Sequence, residues 1–410
     1  MLAGFGARGG TAPAPTEAAL ADVLDPLLRD PALGPERAAV VLDAATGKRV
    51  YGKDAGRGLT PASTVKIATA VAALSALGPD HRIVTRVVAE PDSSEVTLVG
   101  GGDPTLTARE DGRYVDTAAS LRRLAEDTAR ALKARHTEKV KLSYDTSLYE
   151  GPARHPIGPN ENITPVSALM ADEGRLDDSS SGPAPRSTDP ALDAAKKFAD
   201  FLADQGIEVE AKDDPHSARA SGRAESLAKA ESPPLSSLVE RMLTHSDNDI
   251  AEALARQTAV AAKEKASFDG ADKAVRAQLT KLKLPLDGAR FADGSGLDRA
   301  DRVSADLLAA LLDSAADPAR PELRSVVTGL PVAGFTGTLV DRYPKDSPGT
   351  GLVRAKTGTL TGVNTLAGTV VDADGRLLVF AFMTSGTTDP QAAQKTLDDM
   401  ASTVANCGCR

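Results

Sequence analysis

Residues 60–74, TPASTVKIATAVAAL, restrict the folding of this 410-residue chain more than any other segment. Pro61 suits the first turn of a helix, because the N–H that proline lacks would be unpaired there anyway. Apolar residues recur at helical spacing from Ile67 to Leu74, and Gly78 is a stop signal. A helix that is apolar on nearly all sides has to be surrounded by protein. The segment therefore predicts a rigid helix buried in the centre of a domain.

Two polar side chains, Ser63 and Lys66, stand at the start of this helix. At i,i+3 their Cβ atoms are roughly 5–6 Å apart. They can be explained as a helix cap followed by a lysine that reaches solvent. They can also be a nucleophile and its base, because a hydroxyl needs a neighbouring base and a lysine that is desolvated beside a second cation loses its proton readily. The segment alone leaves both explanations open.

Composition narrows the classes of function. A net charge of −9 without a basic cluster argues against a nucleic-acid partner. Aromatic residues are only 3% of the chain and tryptophan is absent, which argues against an aromatic-lined groove for sugars or nucleic acid. The scattered histidines show no metal-ligand spacing, so no metal site is expected from them. Composition does not indicate the oligomeric state.

The two ends of the chain carry little chemistry. Residues 1–15 are rich in glycine, proline, alanine and threonine and predict a flexible linker without the pattern of a signal peptide. No run of about 20 apolar residues predicts a membrane span. Cys407 and Cys409 indicate a mobile end rather than a zinc site, since two thiolates cannot complete a tetrahedral shell. Their role stays open.

Strand patterns stand near both ends of the chain and predict an α/β (α+β) fold. Residues 38–52 read as a hairpin, and a closing helix is predicted over 388–406. Three consecutive strands are predicted in the C-terminal third, over 351–358, 365–372 and 377–384. The simplest arrangement is an antiparallel sheet between helices in one discontinuous domain, with inserted smaller domains. The predicted boundaries are 16–83 and 233–410 for the discontinuous domain and 84–232 for the insertion, interpreted as two small domains.

Two tripeptides belong with Ser63 and Lys66. Ser246-Asp247-Asn248 lies between two predicted helices, and Lys356-Thr357-Gly358 lies at the end of a predicted strand. Taken singly, the first is explained as a helix cap and the second as a strand that runs into a glycine turn. All three motifs in this order favour a catalytic site.

The three motifs resemble those of the penicillin-recognising serine acyltransferases. Further segments are similar to the class C low-molecular-mass penicillin-binding proteins, which are D-Ala-D-Ala carboxypeptidases and endopeptidases of the actinomycete and DacB kind. These segments are VGGGDPTL (99–106), DGSGLDRADRVS (293–304), GLPVAGFTGTL (329–339) and VRAKTGTLTGVNTLAG (353–368). The resemblance extends over about residues 35–400. The long separation of the first two motifs matches the family architecture, in which extra domains are inserted there.

The resemblance implies a β-lactamase-like catalytic domain and a serine-type carboxypeptidase that reacts through an acyl-enzyme without a cofactor. Its implied partners are peptidoglycan stem peptides and β-lactam antibiotics, so the enzyme would work outside the cytoplasmic membrane even though no signal or anchor is evident. The implied catalytic residues are Ser63 as nucleophile, Lys66 as base, Ser246 as proton relay to the leaving amine, Asn248 as a holder of the substrate amide and of Lys66, and Lys356. Lys356 would also meet the terminal carboxylate together with Thr357, Gly358 and Thr359, and the N–H groups of Ser63 and Thr359 would form the oxyanion hole.

Three further residues are candidates for a subsite that reads the free end of a diamino-acid side chain. Asp145 and Tyr149 follow a predicted strand of the insertion, and Arg299 stands on a loop before a helix. Members of the family often have charged or aromatic residues at these places. The plain alternative is that Asp145 caps a turn and Arg299 is a solvated surface charge.

Two other functions are compatible with the motifs. A serine β-lactamase shares them, but class A enzymes need an activating glutamate between the second and third motifs. Residues 287–298, DGARFADGSGLD, offer none, and the long insertion also disfavours that class. A penicillin sensor that binds or is acylated without turnover is the third possibility, against which the intact set of motif residues argues.

Overall fold

The computed structural model describes residues 14–91, 93–109 and 119–408; most of the predicted linker over 1–15 therefore lies outside the described residues. The helices are α1 Glu17–Leu28, α2 Lys66–Leu77, α3 Leu121–Ala134, α4 Pro190–Asp204, α5 Leu235–His245, α6 Asn248–Ala261, α7 Phe268–Lys281, α8 Ala305–Ala316, α9 Arg324–Thr328 and α10 Pro390–Ala405. The strands are β1 Glu36–Asp43, β2 Lys48–Lys53, β3 Val84–Ala89, β4 Glu95–Val99, β5 Lys139–Asp145, β6 Glu208–Glu210, β7 His216–Ser217, β8 Glu225–Glu231, β9 Arg354–Leu360, β10 Val363–Val371 and β11 Leu377–Ser385.

The chain divides into two compact units. The first comprises the described residues up to Pro79, Val239–Asp247, and the described residues from Ala271 onward. The second comprises the described residues of Asp80–Leu238 together with Asn248–Gly270. Residues 248–270, predicted in the discontinuous domain, here group with the described inserted residues. The division of the insertion into two small domains stays a prediction.

An antiparallel sheet is the centre of the first unit. Its described strands run in the order β2-β1-β11-β10-β9, so the N-terminal hairpin lies beside the three C-terminal strands. On β11, Leu378, Phe380 and Phe382 belong to one core cluster with residues of α1 and α10. The intervening β11 residues are also buried, and α8 packs against β11, β1 and β10. The predicted antiparallel sheet between helices is thus confirmed.

The second unit has its own sheet and core. The described strands run in the order β6-β5-β4-β3-β8, with β7 beside β5; β4, β5 and β6 are parallel, whereas β3 is antiparallel to both of its neighbours. The core lies between this sheet and helices α3 and α4, with Phe198 of α4 fully buried in it. Ser120 begins α3 by accepting a hydrogen bond from the N–H of Arg123, as an N-cap serine does.

The C-terminal end differs from the predicted mobile tail. Cys407 is 4% exposed and packs in the core cluster of the first unit, because α10 carries it against the sheet. Cys409 lies outside the described residues. Every described helix is too short or too polar to span a lipid bilayer.

Candidate active site

The first motif sits at a change of helix type. Ser63 belongs to the 3₁₀ turn Ala62–Val65, and α2 begins at Lys66, where the sequence predicted one continuous helix. Lys66 Nζ lies 3.0 Å from Ser63 Oγ and donates to the carbonyl oxygen of Ser295 at 2.6 Å. Lys66 is fully buried, while Ser63 is partly exposed. A hydroxyl that a substrate can reach therefore has an amine, screened from bulk water, within hydrogen-bond distance.

The backbone just before Ser63 is strained. Ala62 has φ 48°, in the left-handed region that residues with a Cβ rarely adopt. The preceding carbonyl, that of Pro61, accepts hydrogen bonds from Thr64 Oγ1 at 2.7 Å and Thr365 Oγ1 at 2.8 Å. Thr365 lies on β10, so the sheet holds the strained turn in place.

The third motif lies on β9, the end strand of the described sheet. Gly358 approaches the 3₁₀ turn so closely that a Cβ there would lie 2.1 Å from Thr365 Oγ1 and 2.6 Å from the Pro61 carbonyl oxygen. A larger residue would push β9 away from the turn that carries Ser63. Close backbone approach thus explains the glycine in Lys-Thr-Gly.

Lys356 is the second fully buried lysine of this region. Its Nζ donates to the carbonyl oxygen of Thr357 at 2.8 Å. Burial lowers the pKa of Lys356 well below its ordinary value, and the neighbouring Lys66 and Arg342 lower it further. The charged form is therefore costly until an anion arrives, which suits a residue that meets a carboxylate.

The second motif connects α5 to α6. Ser246 has φ 57° and is, like Ala62, a non-glycine residue in the left-handed region. The N–H of Asp247 donates to the Met242 carbonyl. Asn248 begins α6, belongs to the second unit, and donates from Nδ2 to the carbonyl oxygen of Asn162 at 2.9 Å.

A loop before β9 links the end of α5 to the third motif. Thr338 Oγ1 lies 2.8 Å from Thr357 Oγ1, and Thr244 Oγ1 donates to the Gly329 carbonyl at 2.8 Å. Gly337 has φ 56°, and a Cβ there would lie 2.1 Å from the Thr244 carbonyl oxygen. This loop therefore ties α5, two residues before Ser246, to the strand that carries Lys356.

Asp145 and Tyr149 of the second unit make their hydrogen bonds within that unit. Asp145 is buried, and its two carboxylate oxygens accept from the N–H groups of Ser147 at 2.7 Å and Ala220 at 2.8 Å. The Tyr149 hydroxyl accepts from Gln257 Nε2 at 3.1 Å, and burial raises the pKa of Tyr149 well above its ordinary value. These contacts agree with the structural explanation of Asp145, so its role in substrate recognition stays a prediction.

Arg299 and Thr359 are exposed residues of the first unit. Arg299 donates to the carbonyl oxygen of Thr361, in the turn between β9 and β10, at 2.6 Å. The guanidinium is thereby held at the β9 end of the sheet rather than being only a solvated charge. Its part in a subsite also stays a prediction.

Sequence reasoning did not assign roles to Ser295 or Thr338, although both stand in segments that carry the family resemblance. Ser295 acts through its backbone carbonyl, which any residue possesses, so its identity carries no signal. Thr338 offered one signal: it follows a glycine in a segment, GFTGT, that is too polar for a strand or a helix core.

Comparison with known proteins extends these observations. The chain matches the family described as D-Ala-D-Ala carboxypeptidase 3 (S13) over residues 20–185 and 177–407. The chain belongs to this family. The match confirms the family that the three motifs predicted. It also confirms the predicted enzyme class, a serine-type D-Ala-D-Ala carboxypeptidase.

Relatives match over nearly the whole chain. Carboxypeptidase DacB of Mycolicibacterium smegmatis is 37% identical over 97% of this chain and 86% of its own length. The D-alanyl-D-alanine carboxypeptidase of Actinomadura sp. strain R39 is 29% identical over 90% of this chain and 82% of its own. The crystal structure of penicillin-binding protein 4 (DacB) from Haemophilus influenzae has the same fold, with a TM-score of 0.73, 22% identity and coverage of 94% of this chain and 99% of the other.

Proposed function

We propose that Ser63 is the nucleophile of this carboxypeptidase and Lys66 its base. Ser63 Oγ attacks the carbonyl carbon of the penultimate D-Ala and its proton passes to Lys66 Nζ. The tetrahedral intermediate expels the terminal D-Ala, whose amine takes a proton through the Ser246 hydroxyl, and water then hydrolyses the acyl ester. The observation that carries the proposal is the 3.0 Å contact between a buried amine and a partly exposed hydroxyl.

The carboxylate of the terminal D-Ala binds Lys356, Thr357 and Thr359 in this proposal, along Gly358 at the end of the sheet. The buried, easily deprotonated Lys356 supports it, because an incoming carboxylate restores the charged form. The N–H groups of Ser63 and Thr359 form the oxyanion hole, where one donor typically contributes about 10²–10³ in rate. Asn248 binds the substrate amide in this proposal, which is the role that its motif implies.

The substrate in this proposal is a peptidoglycan stem peptide, and β-lactams acylate the same serine. The enzyme then works outside the cytoplasmic membrane, where its substrate is. The family assignment supports the substrate class, because the terminal D-Ala-D-Ala of such peptides is the bond that the family is named for.

The deciding experiment treats wild type, Ser63→Ala and Lys66→Arg with benzylpenicillin, measures the adduct by mass spectrometry, and times D-Ala release from a D-Ala-D-Ala peptide. Wild type should form a persistent adduct on Ser63 and release D-Ala. Ser63→Ala should do neither, and Lys66→Arg should lose at least 99% of the acylation rate, because a guanidinium cannot be deprotonated. Ser75→Ala, on the same α2, is the matched control.

Other outcomes lead to other conclusions. Rapid opening of the β-lactam ring without a lasting adduct would indicate a β-lactamase, and an adduct without D-Ala release a penicillin sensor. Stoichiometric labelling of the Ser63→Ala variant would contradict the nucleophile assignment.

We also propose that Asp145, Tyr149 and Arg299 favour a substrate with a free diamino-acid end, which brings an ammonium and a carboxylate. Wild type should turn over a D-Ala-D-Ala peptide with a free end at least tenfold faster than the acetylated peptide. Asp145→Asn should reduce that preference while penicillin acylation stays unchanged, since asparagine removes the negative charge but keeps one acceptor oxygen, for the N–H of Ser147 or for that of Ala220. Equal turnover of both peptides by wild type would return these residues to a structural role.

A further inference from the structure

The loop that runs from Ala292 to Asp301 is built around two buried carboxyl groups of the first unit. Asp301 is fully buried, and its Oδ1 accepts from the N–H of Ala292 at 2.6 Å and from that of Asp293 at 3.3 Å. Asp301 thus closes the loop by bonding back to its beginning. Carboxyl groups are rarely buried to this extent without a reason in structure or chemistry.

Asp293 organises the inside of the same loop. Its Oδ1 accepts from the N–H groups of Ser295 at 3.0 Å and Gly296 at 2.5 Å. Its Oδ2 accepts from the N–H of Asp298 at 2.7 Å and from Ser295 Oγ at 3.1 Å. Four donors converge on one carboxylate, so the backbone of this loop has one conformation.

The backbone so held faces the helix that carries the catalytic lysine. The Gly294 carbonyl accepts from Thr69 Oγ1 at 2.7 Å, and the Ser295 carbonyl accepts from Lys66 Nζ at 2.6 Å. Gly296, with φ 85°, lies so near the strained turn that a Cβ on it would be 2.0 Å from the Ala62 carbonyl oxygen. One loop thus contacts both the base and the backbone next to the nucleophile.

We propose that Asp293 and Asp301 form a carboxyl pair whose task is to position Lys66 through the Ser295 carbonyl. This inference rests on the proposed role of Lys66 as the base. A neutral amine has two hydrogens and one lone pair. When the Ser295 carbonyl takes one hydrogen, the amine is held 3.0 Å from Ser63 Oγ, where its lone pair can accept the proton of the Ser63 hydroxyl. A carbonyl displaced by 1 Å would leave the lysine present but misdirected, at a cost of about 10² in rate.

The two members of the pair have different roles. Burial and the adjacent Asp293 carboxylate raise the pKa of Asp301 well above its ordinary value, which favours the protonated form of Asp301. Asp293 is the acceptor for the four loop donors. A protonated aspartic acid and an asparagine have nearly the same shape and both donate, which makes the pair testable.

The test compares Asp301→Asn with Asp301→Ala by stopped-flow acylation with a fluorescent penicillin, so that the dissociation constant and the rate constant at saturation are measured separately. Asp301→Asn should keep the acylation rate constant within about threefold of wild type. Asp301→Ala should lose about 10² in that rate constant while its dissociation constant changes less than threefold. If Asp301 served only the stability of the fold, Asp301→Ala would lower the melting temperature and leave the acylation rate constant of the folded protein unchanged.

Two more variants keep the test decisive. Asp293→Asn retains one acceptor oxygen and should lose about tenfold in the rate constant, which decides the matter if Asp301→Ala fails to fold. Asp298→Asn is the matched control, because among the described residues the Asp298 side chain accepts a hydrogen bond from the N–H of Ala300 alone, which asparagine also does.

The inference is overturned if Asp301→Asn is as slow as Asp301→Ala, or if neither Asp301→Ala nor Asp293→Asn slows acylation. Its failure is distinguishable from failure of the proposed function. An active Lys66→Arg removes the base assignment itself, whereas an inactive Lys66→Arg together with fully active carboxyl variants removes only the positioning role.

Discussion

At the scale of single residues, the candidate site contains two buried lysines with different hydrogen-bond partners. Lys66 has an acceptor on each side, Ser63 Oγ and the Ser295 carbonyl, whereas Lys356 donates to the backbone of its own strand. Two ammonium groups that share one buried region oppose each other's charge. Burial of the Lys356 charge beside Lys66 therefore has a cost in stability.

That cost can be measured with Lys356→Met. The lowered pKa of Lys356 means that the folded protein releases this proton at a lower pH than the unfolded chain does, so wild-type stability rises with pH between the folded pKa and the ordinary value of 10.5. Lys356→Met should therefore be more stable than wild type at pH 6 by denaturant unfolding, and the difference should shrink at pH 9. Penicillin acylation should fall at least 100-fold. Lower stability of the methionine variant at pH 6 would show that the buried charge is compensated.

At the scale of elements, the site is where a 3₁₀ turn, a loop and an end strand approach closely. Glycines permit the approach on both sides of the turn: Gly358 from β9 and Gly296 from the carboxyl-centred loop. The strain at Ala62 persists because its neighbours leave the turn no other conformation.

Gly296→Ala tests this account of the turn. The added methyl would lie 2.0 Å from the Ala62 carbonyl, and φ 85° is unfavourable for alanine, so the turn has to move. We expect at least a 100-fold loss of penicillin acylation. Gly288→Ala is the control, since Gly288 has φ 68° but nothing within 4 Å of an added Cβ. Gly288→Ala should have the same unfavourable backbone conformation but keep its acylation rate. Equal losses of acylation rate in Gly296→Ala and Gly288→Ala would mean that backbone conformation alone causes the loss.

At the scale of the whole molecule, each unit has a hydrophobic core of its own. Phe380 and Phe382 stack at 5.0 Å in the core of the first, and Phe198 is buried in the core of the second. Units with separate cores can unfold in separate transitions.

Calorimetry of Phe380→Ala and Phe198→Ala tests this independence. Either truncation should cost about 3–5 kcal/mol in its own unit. Phe380→Ala should lower the transition that benzylpenicillin acylation shifts, because Ser63 and Lys66 lie in that unit, and Phe198→Ala should lower a different one. A single transition that both variants lower equally would show that the units unfold together.

Much of this protein was predictable from local patterns. Continuous stretches of sequence form the strands of the first sheet, its closing helix and the three motifs. Their periodicity and turn residues can be recognised without knowledge of the fold. The motifs also predicted the right family. The helix predicted from Pro61 was right in place but wrong at its start. Its first turn is 3₁₀, because Ala62 takes a left-handed conformation that no pattern of side chains signals.

The tertiary structure decided what the side chains touch. The amino-acid sequence names Lys66 and Asp145, but it does not show that Lys66 donates to the Ser295 carbonyl, or that both oxygens of Asp145 are occupied by backbone N–H groups. Such partners are backbone atoms, which every residue has, and several come from segments far away in the chain. The sequence alone determines the side-chain chemistry and the local periodicity. Which of many equivalent backbone groups a side chain bonds to is determined only when packing brings the segments together.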